Sequence, residues 1–241
     1  MTELSYKNLM ENDYARINNT LEGSEALDII KWAFQTFKSE LVYACSFGAE
    51  GIVLLDLISK VKPDANVIFL DTNLHFNETY ELIERVKQKY PALRIEFIQP
   101  SLSLDEQTAK HGEALWKMNP DLCCNIRKIK PLGDVLSSKK AWMTGLRKDQ
   151  SPTRANTQFI NKDDRFLSIK ICPLIHWSWE EVWDYIMLHQ LPYNSLHKQG
   201  YPSIGCKHCT RPVIDGSDLR SGRWTGLIKT ECGLHLNSPN K

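Results

Sequence analysis

Two adjacent cysteines, Cys123 and Cys124, stand in "PDLCCNIRKIKPL", with Arg127, Lys128 and Lys130 close behind them. Consecutive residues rarely close a disulfide, because their Cβ atoms are poorly placed for its geometry. Such a pair is therefore either two buried side chains or two ligands for something outside it. A second group, Cys206 and Cys209, has C-x-x-C spacing in "GCKHCTRP". Four thiolates arranged as a close pair plus a C-x-x-C can hold zinc or an iron–sulfur cluster; redox or structural thiols are the competing reading. Among metals the adjacent pair favours a cluster. Neighbouring thiolates can each reach a different iron of a cube, whereas converging both on one zinc crowds the backbone.

Cys232 lies near the C-terminus in "KTECGLH", beside a glycine and without apolar periodicity around it. Lys229 and His235 flank it, and cations near a thiol raise its thiolate fraction. It is either a reactive cysteine or a thiol exposed by accident. Cys45 and Cys172 sit inside apolar runs and read as small buried hydrophobes. Lys128, Arg147, Arg154, Arg220 and Arg223 all fall in loop-like or motif-like segments. Each alone reads as a solvated charge. Together they suit a pocket for a compact, multiply charged anion, since arginine forks match phosphate and sulfate oxygens. In "LRSGRW" (219–224) Gly222 lets the backbone come close to a ligand. "SFGAEG" (46–51) follows a strand and opens a helix, where an oxyanion cradle is expected, although two glycines without a P-loop lysine are an unspecific signal.

The whole chain bounds these readings. Its net charge of +1 over 241 residues makes no overall electrostatic case for nucleic acid or an acidic membrane surface. At 42% hydrophobic residues it can bury a full core. No run approaches the roughly 20 apolar residues of a bilayer span, and the first twenty residues carry no signal-peptide pattern. The expectation is a cytoplasmic protein whose seven cysteines serve as thiols, metal ligands or catalysts rather than as a disulfide framework.

The elements that must position these groups alternate. "SEALDIIKWAFQTF" has helical spacing, with Leu27, Ile30, Phe34 and Phe37 on one face. "LVYACSF" reads as a buried strand and "EGIVLLDLISKV" as the next helix. "NVIFLDT" and "LRIEFIQP" are strands on either side of the helix "HFNETYELIERVKQKY". "SLSLDEQTAKHGEALWKM" opens with a capping box at Ser103 and Glu106, and "WEEVWDYIMLHQ" with another at Ser178 and Glu181. Trp179, Val182, Trp183 and Ile186 of the latter read as core. "AWMTGLR" and "FLSIKICPLI" are further strands. Alternating strands and helices imply an α/β fold, a mostly parallel sheet with helices on both faces. Ligands in such sheets bind beyond the carboxyl ends of the strands, so "SFGAEG", "DTNLHF" (71–76) and "TGLRKDQSPTR" (144–154) share one functional edge. The chain divides into a polar N-terminal segment (1–24), an α/β body with the cysteine site (25–210) and a C-terminal tail (211–241).

Together, "CCNIRK", "GCKHC" and "ECGLH", with "LDTNLHFNET" and "SGRW", resemble the assimilatory adenylyl-sulfate/phosphoadenylyl-sulfate reductases, from about residue 25 to the tail. The fit is to the branch that carries a 4Fe–4S cluster. The resemblance implies a fold like the adenine-nucleotide α-hydrolases (ATP pyrophosphatases), with "SFGAEG" in place of their Ser-Gly-Gly-x-Asp-Ser loop, a departure that argues against ATP cleavage. It further implies one 4Fe–4S cluster per chain on Cys123, Cys124, Cys206 and Cys209, with Lys128 between cluster and substrate. Ser46, Gly48, Arg154, Arg220, Arg223 and His235 would bind the substrate, and Cys232 would be the nucleophile. The implied reaction is thioredoxin-dependent reduction of adenylyl sulfate to sulfite and AMP through a cysteine S-sulfonate, in sulfate assimilation for cysteine biosynthesis. Phosphoadenylyl sulfate is a further candidate substrate, and relatives form homo-oligomers. Two rival readings are a tRNA-thiolating enzyme, which would want the intact loop and a basic RNA surface, and a non-catalytic cluster-bearing redox sensor or electron carrier, for which Cys232 would be dispensable.

Overall fold

Short runs, most of them rich in β-branched, aromatic and leucine side chains, supply six strands: β1 (Leu41–Ala44), β2 (Asn66–Leu70), β3 (Arg94–Ile98), β4 (Ala141–Met143), the polar β5 (Ile160–Asp163) and β6 (Ser168–Ile171). They form one sheet in the order β3-β2-β1-β4-β6-β5. All pairings are parallel except β5 with β6. The computed structural model describes residues 4–213 and 218–235. The outer ends of the segment 1–24 and of the tail 211–241 lie outside the described residues. No helix among those described is long and apolar enough to cross a membrane.

Nine α-helices surround the sheet among the described residues: α1 (Glu11–Leu21), α2 (Ala26–Phe37), α3 (Ala49–Val61), α4 (Asn77–Lys89), α5 (Leu104–His111), α6 (Leu115–Met118), α7 (Pro120–Cys124), α8 (Lys130–Leu136) and α9 (Trp179–Leu188). Side chains alternate across each strand, and the two faces build separate cores. Leu41, Tyr43, Val67, Phe69, Ala141 and Met143 pack with α2, α3 and α9. Val42, Ile68 and Trp142 face the other way, onto Leu132 and Leu136 of α8. Helix α3 is apolar nearly all round because α2 and α9 cover the side turned away from the sheet.

Strand order reverses at β1. The chain runs outward from β1 through β2 to β3, then returns to the opposite side of β1 as β4. The loops leaving β1 and β4 therefore part from each other and open the crevice where such sheets take ligands.

Some elements differ from the sequence expectation. The buried stripe of α2 is Ala26, Ile29, Ile30, Ala33 and Phe37, while Leu27 and Phe34 are only partly covered. "SLSLDEQTAKHGEALWKM" is two helices, because α5 stops at Gly112 with φ +84°. Its Ser103–Glu106 box is present, as is that of Ser178 and Glu181. Of the α9 positions, Val182 and Ile186 are buried, whereas Trp179 lines a cavity. Strand β5 and helix α1 have no strong periodic signal. Both depend on a polar contact: the buried Asn18 amide donates to Ile160 O at 2.8 Å and accepts from Ile160 N at 2.9 Å. Asn18 thus serves the open edge of β5 in place of another strand.

Replacing Asn18 with leucine strands both Ile160 backbone groups away from water. The expected loss of stability is about 1–3 kcal/mol, read by denaturant titration. Leu132→Ala, which hollows the smaller core, is expected to cost about 2–5 kcal/mol in the same assay.

Candidate active site

A cavity of about 180 Å³ opens beyond the carboxyl ends of β1 and β4. Its floor begins where β1 ends. Phe47 takes a left-handed φ of 55° and buries its ring against Phe69, 5.4 Å between centroids, which leaves Ser46 and Gly48 on the cavity wall. Gly48 caps the N-terminus of α3, where backbone amides are unsatisfied and carry partial positive charge. Opposite, the β4 loop passes so close to α3 that a Cβ on Gly145 would sit 3.3 Å from the backbone of Glu50.

The positive residues expected to gather do gather: Lys128, Arg147, Arg154, Arg220 and Arg223 all line this cavity. They are not equivalent. Arg147 gives Nε and Nη2 to Glu50 Oε1, at 3.0 and 2.9 Å, and Nη1 to Trp177 O. Arg154 gives Nε and Nη2 to the two oxygens of Glu231, both at 2.9 Å, and Nη1 to Gln150. Arg220 contributes only Nη2 to the tail, reaching Thr230 O and Glu231. Burial and the neighbouring Arg154 bring Arg220 down to about 10, still cationic at neutral pH. The Arg223 guanidinium lies over Trp224 at 4.5 Å and bonds Ser203, but its Nε is buried without a partner.

The tail completes the cavity with Glu231, Cys232, Leu234 and His235. Cys232 is half-buried. The flanking cations do not act on it as the sequence suggests. Burial, then the nearby Arg154, Lys170, Arg220 and Lys128, push His235 well below its ordinary value, so its ring is neutral. That ring stacks on Trp142 at 5.8 Å, with Nδ1 buried and unpartnered. Lys229 instead pairs with Asp121 on α7. Arg220 couples electrostatically to Cys232, and so does Lys128. Burial alone would lower its pKa, but the sulfurs of Cys206, Cys232 and Cys124 hold it above the usual lysine range.

Lys128 also lines a second, smaller cavity, together with Cys123, Cys124, Cys206 and Cys209. Asn119 caps α7 through Leu122 N, and Pro120 starts it, presenting Cys123 and Cys124. A single π-helical turn, Asn125–Ile129, follows. Such turns shift the side chains after them and recur at functional sites. Here the turn buries Arg127, which donates to Thr72 O at 2.7 Å and to Gln107 at 2.9 Å. The loop after β2 joins the two cysteine pairs. Thr72 Oγ1 lies 3.4 Å from Cys206 Sγ, and Lys207 N donates to Leu74 O. Arg211 N bonds Gly222 O, and Trp224 N bonds Cys209 O. Gly222 is required there, because a Cβ would overlap Arg211 O.

Burial pushes the thiols of Cys123 and Cys124 up to about 11 and 12, so thiolates there need a positive partner. Four sulfur donors around one cavity suit a thiophilic metal group. Among the described residues, no three His, Cys, Asp or Glu side chains form a group that would hold a metal ion as they stand. Glu50, His75 and Gln150 on the main cavity wall lie in the three segments expected on the functional edge, although none was singled out there. Glu231, which precedes Cys232 in "KTECGLH", and Trp179, read as core, were not expected at the site.

The model of the phosphoadenosine phosphosulfate reductase domain matches residues 40–212. A curated relative from Halalkalibacterium halodurans, adenosine 5'-phosphosulfate reductase, is 62% identical over 219 residues, covering 91% of this chain and 95% of its own. The crystal structure of phosphoadenylyl-sulfate reductase from Candida auris, a phosphate complex, superposes with a TM-score of 0.74 at 35% identity, over 85% of this chain and 98% of that one. An NH3-dependent NAD synthetase from Campylobacter jejuni shares the fold at 16% identity, with a TM-score of 0.53 over 78% of this chain and 79% of its own. The architecture is that of the adenine-nucleotide α-hydrolases.

His75, at the cavity wall, accounts for one pH dependence. Burial first, then the Lys128 charge, push it down to about 4, against about 6.5 in the unfolded chain. The unfolded state binds the extra proton, so stability is complete above about pH 6.5 and is lost as pH falls toward 4. Denaturant midpoints at pH 7 and pH 5 are expected to differ, and His75→Gln is expected to reduce that difference.

Proposed function

Because the chain belongs to the phosphoadenosine phosphosulfate reductase family, whose members are oxidoreductases acting on sulfur, we propose that it reduces adenylyl sulfate to sulfite and AMP. The observation that carries this reading is the placement of Cys232 on the wall of the same cavity as Lys128, Arg220 and Arg223. A nucleophile and a set of cations with donors to spare suit a reactive, anionic sulfonyl group.

The Cys232 thiolate attacks the sulfonyl sulfur. The sulfur–oxygen bond to the phosphate breaks, and its electron pair leaves with AMP. The product is Cys232 S-sulfonate, so one difficult reduction becomes two steps. Lys128, Arg220 and Arg223 offset the repulsion between thiolate and sulfonate and neutralise charge on the departing phosphate. His235 Nδ1, unpartnered in the protein, bonds a sulfonate oxygen. Ser46 and the α3 N-terminus at Gly48 receive the nucleotide phosphate. A thioredoxin thiolate then attacks Cys232 Sγ, sulfite departs with the bonding pair, and the second thioredoxin thiol resolves the mixed disulfide. Two thiols are oxidised to one disulfide, which supplies the two electrons that take sulfur(VI) to sulfur(IV).

A 4Fe–4S cluster held by Cys123, Cys124, Cys206 and Cys209 would supply fixed charge beside Lys128, tuning the site rather than furnishing electrons. Relatives at about 60% identity bear the name adenosine 5'-phosphosulfate reductase, which supports adenylyl sulfate over its 3'-phosphorylated form. We assign the reaction to sulfate assimilation for cysteine biosynthesis in the cytoplasm, where thiols stay reduced.

Anaerobic incubation with adenylyl sulfate and no reductant, followed by peptide mass spectrometry, is expected to find a sulfonate on Cys232 that thioredoxin releases as sulfite. Parallel incubation with phosphoadenylyl sulfate reports specificity. Absence of the adduct with both nucleotides sinks the reading. Cys232→Ser is expected to lower turnover by at least about a thousandfold. Arg223→Ala, which removes charge-assisted hydrogen bonds worth about 1.5–3 kcal/mol, is expected to raise KM by about ten- to a hundredfold.

A further inference from the structure

The residue before Cys232 is bound more completely than any substrate group needs to be. Glu231 is 6% exposed, and its carboxylate fills a socket. Oε1 accepts from Arg154 Nε at 2.9 Å, Ser151 Oγ at 3.3 Å and Thr153 Oγ1 at 3.4 Å. Oε2 accepts from Arg154 Nη2 at 2.9 Å and Arg220 Nη2 at 3.2 Å. The segment "SPTR" (151–154) supplies three of the four partners.

We propose that Glu231 is a positioning residue for the reaction: seated in the Ser151–Arg154 socket and against Arg220, its carboxylate docks the tail and turns Cys232 into the cavity. Arg154 then belongs to the socket rather than to the substrate. All three of its guanidinium nitrogens are engaged, by Glu231 and Gln150. Three of its five N–H donors are taken and its charge is already met by the buried Glu231 carboxylate, so it has less to offer a substrate anion than Arg223, whose charge no carboxylate meets among the described residues. Arg220 is shared between the two tasks, since its bonds to the tail use Nη2 alone. Two further contacts fasten the same tail. Lys229 pairs with Asp121. Gly233, at φ +90°, lies against Ile129, where an added Cβ would stand 2.8 Å from Cδ1.

The catalytic consequence rests on Cys232 being the nucleophile proposed above; the socket does not. Both are tested on the full-length, cluster-loaded protein under anaerobic conditions with Glu231→Gln, Arg154→Gln and the double variant. The first measurement needs no substrate: the rate at which iodoacetamide alkylates Cys232, followed by peptide mass spectrometry. If the socket seats the tail, both single variants free it, and alkylation of Cys232 rises about tenfold in each. The double variant should rise no further, because one contact has been lost in all three. A charge effect on the thiol alone behaves differently. It speeds alkylation in Glu231→Gln, which loses a negative charge, and slows it in Arg154→Gln, which loses a positive one. Slower alkylation in Arg154→Gln, or no change in either variant, overturns the proposal.

The second measurement is the single-turnover rate of Cys232 sulfonation by adenylyl sulfate beside the equilibrium affinity for AMP. Glu231→Gln is expected to slow sulfonation about a hundredfold while AMP affinity stays within about threefold. Wild-type rates of sulfonation overturn the catalytic role. A wild-type protein that forms no adduct sinks the reductase reading instead, and the alkylation rates still decide the socket. Should a single variant fail to fold, the double variant, which removes both charges of the Arg154–Glu231 pair, carries both comparisons: faster alkylation supports the socket, and an unchanged rate overturns it.

Discussion

Buried positive charge governs how this site is built. An arginine taken out of water costs several kcal/mol unless an anion or a set of carbonyls meets it. The protein meets that requirement one cation at a time. Arg127 goes to Thr72 O, Gln107 and Leu102 O, Arg147 to Glu50, and Arg154 to Glu231. Burial alone would raise the Glu231 carboxyl, but Arg154 and Arg220 hold it below the usual range, so it stays ionised as the anion they need. After this pairing, Lys128, Arg220 and Arg223 are left with donors toward the cavity. A ligand that enters meets three cations whose neighbours are already fixed, so little reorganisation is required when charge develops.

The same pairing couples two places that look separate along the chain. Lys128 lines both the main cavity and the smaller one among the four cysteines. Arg223 is carried by a segment whose backbone bonds the Cys206–Cys209 turn, through Trp224 N to Cys209 O and Arg211 N to Gly222 O. The Arg223 guanidinium also lies against Gly205, where an added Cβ would displace it. The cysteine pairs and two cations of the main cavity therefore share the same supports.

Much of the frame was legible in the residues. The apolar runs of β1 and β2, the two Ser-x-x-Glu boxes and the alternation of strands with helices led directly to a mostly parallel sheet with its loops on one edge. What escaped had a physical reason. Strand β5 carries Asn161 and Asp163 and forms only because β6 and Asn18 satisfy its backbone. Helix α1 buries Tyr14, Asn18 and Leu21, so its buried stripe is half polar and lies in a segment of low overall hydrophobicity. Helix α5 ends because Gly112 takes a positive φ, although the apolar spacing continues through Leu115 and Trp116. Trp179 packs partly against the core, as its helical spacing implies, but its ring also faces Arg147 at 5.5 Å on the cavity wall.

The sequence by itself determined the chemical inventory: two cysteine pairs, a lone tail cysteine, and five lysine and arginine residues in loop-like or motif-like segments. Those follow from residue type and short spacing, which are local properties. Only the tertiary structure decided which cations remain for a ligand. Arg147 meets Glu50 across 97 residues of chain, and Arg154 meets Glu231 across 77. Ion pairs over such separations leave no periodic trace in the sequence, because they depend on how the loops after β1 and β4 meet the returning tail. That meeting is set by the reversal of strand order at β1, and it turns a collection of arginines into a socket for the tail and a cavity for an anion.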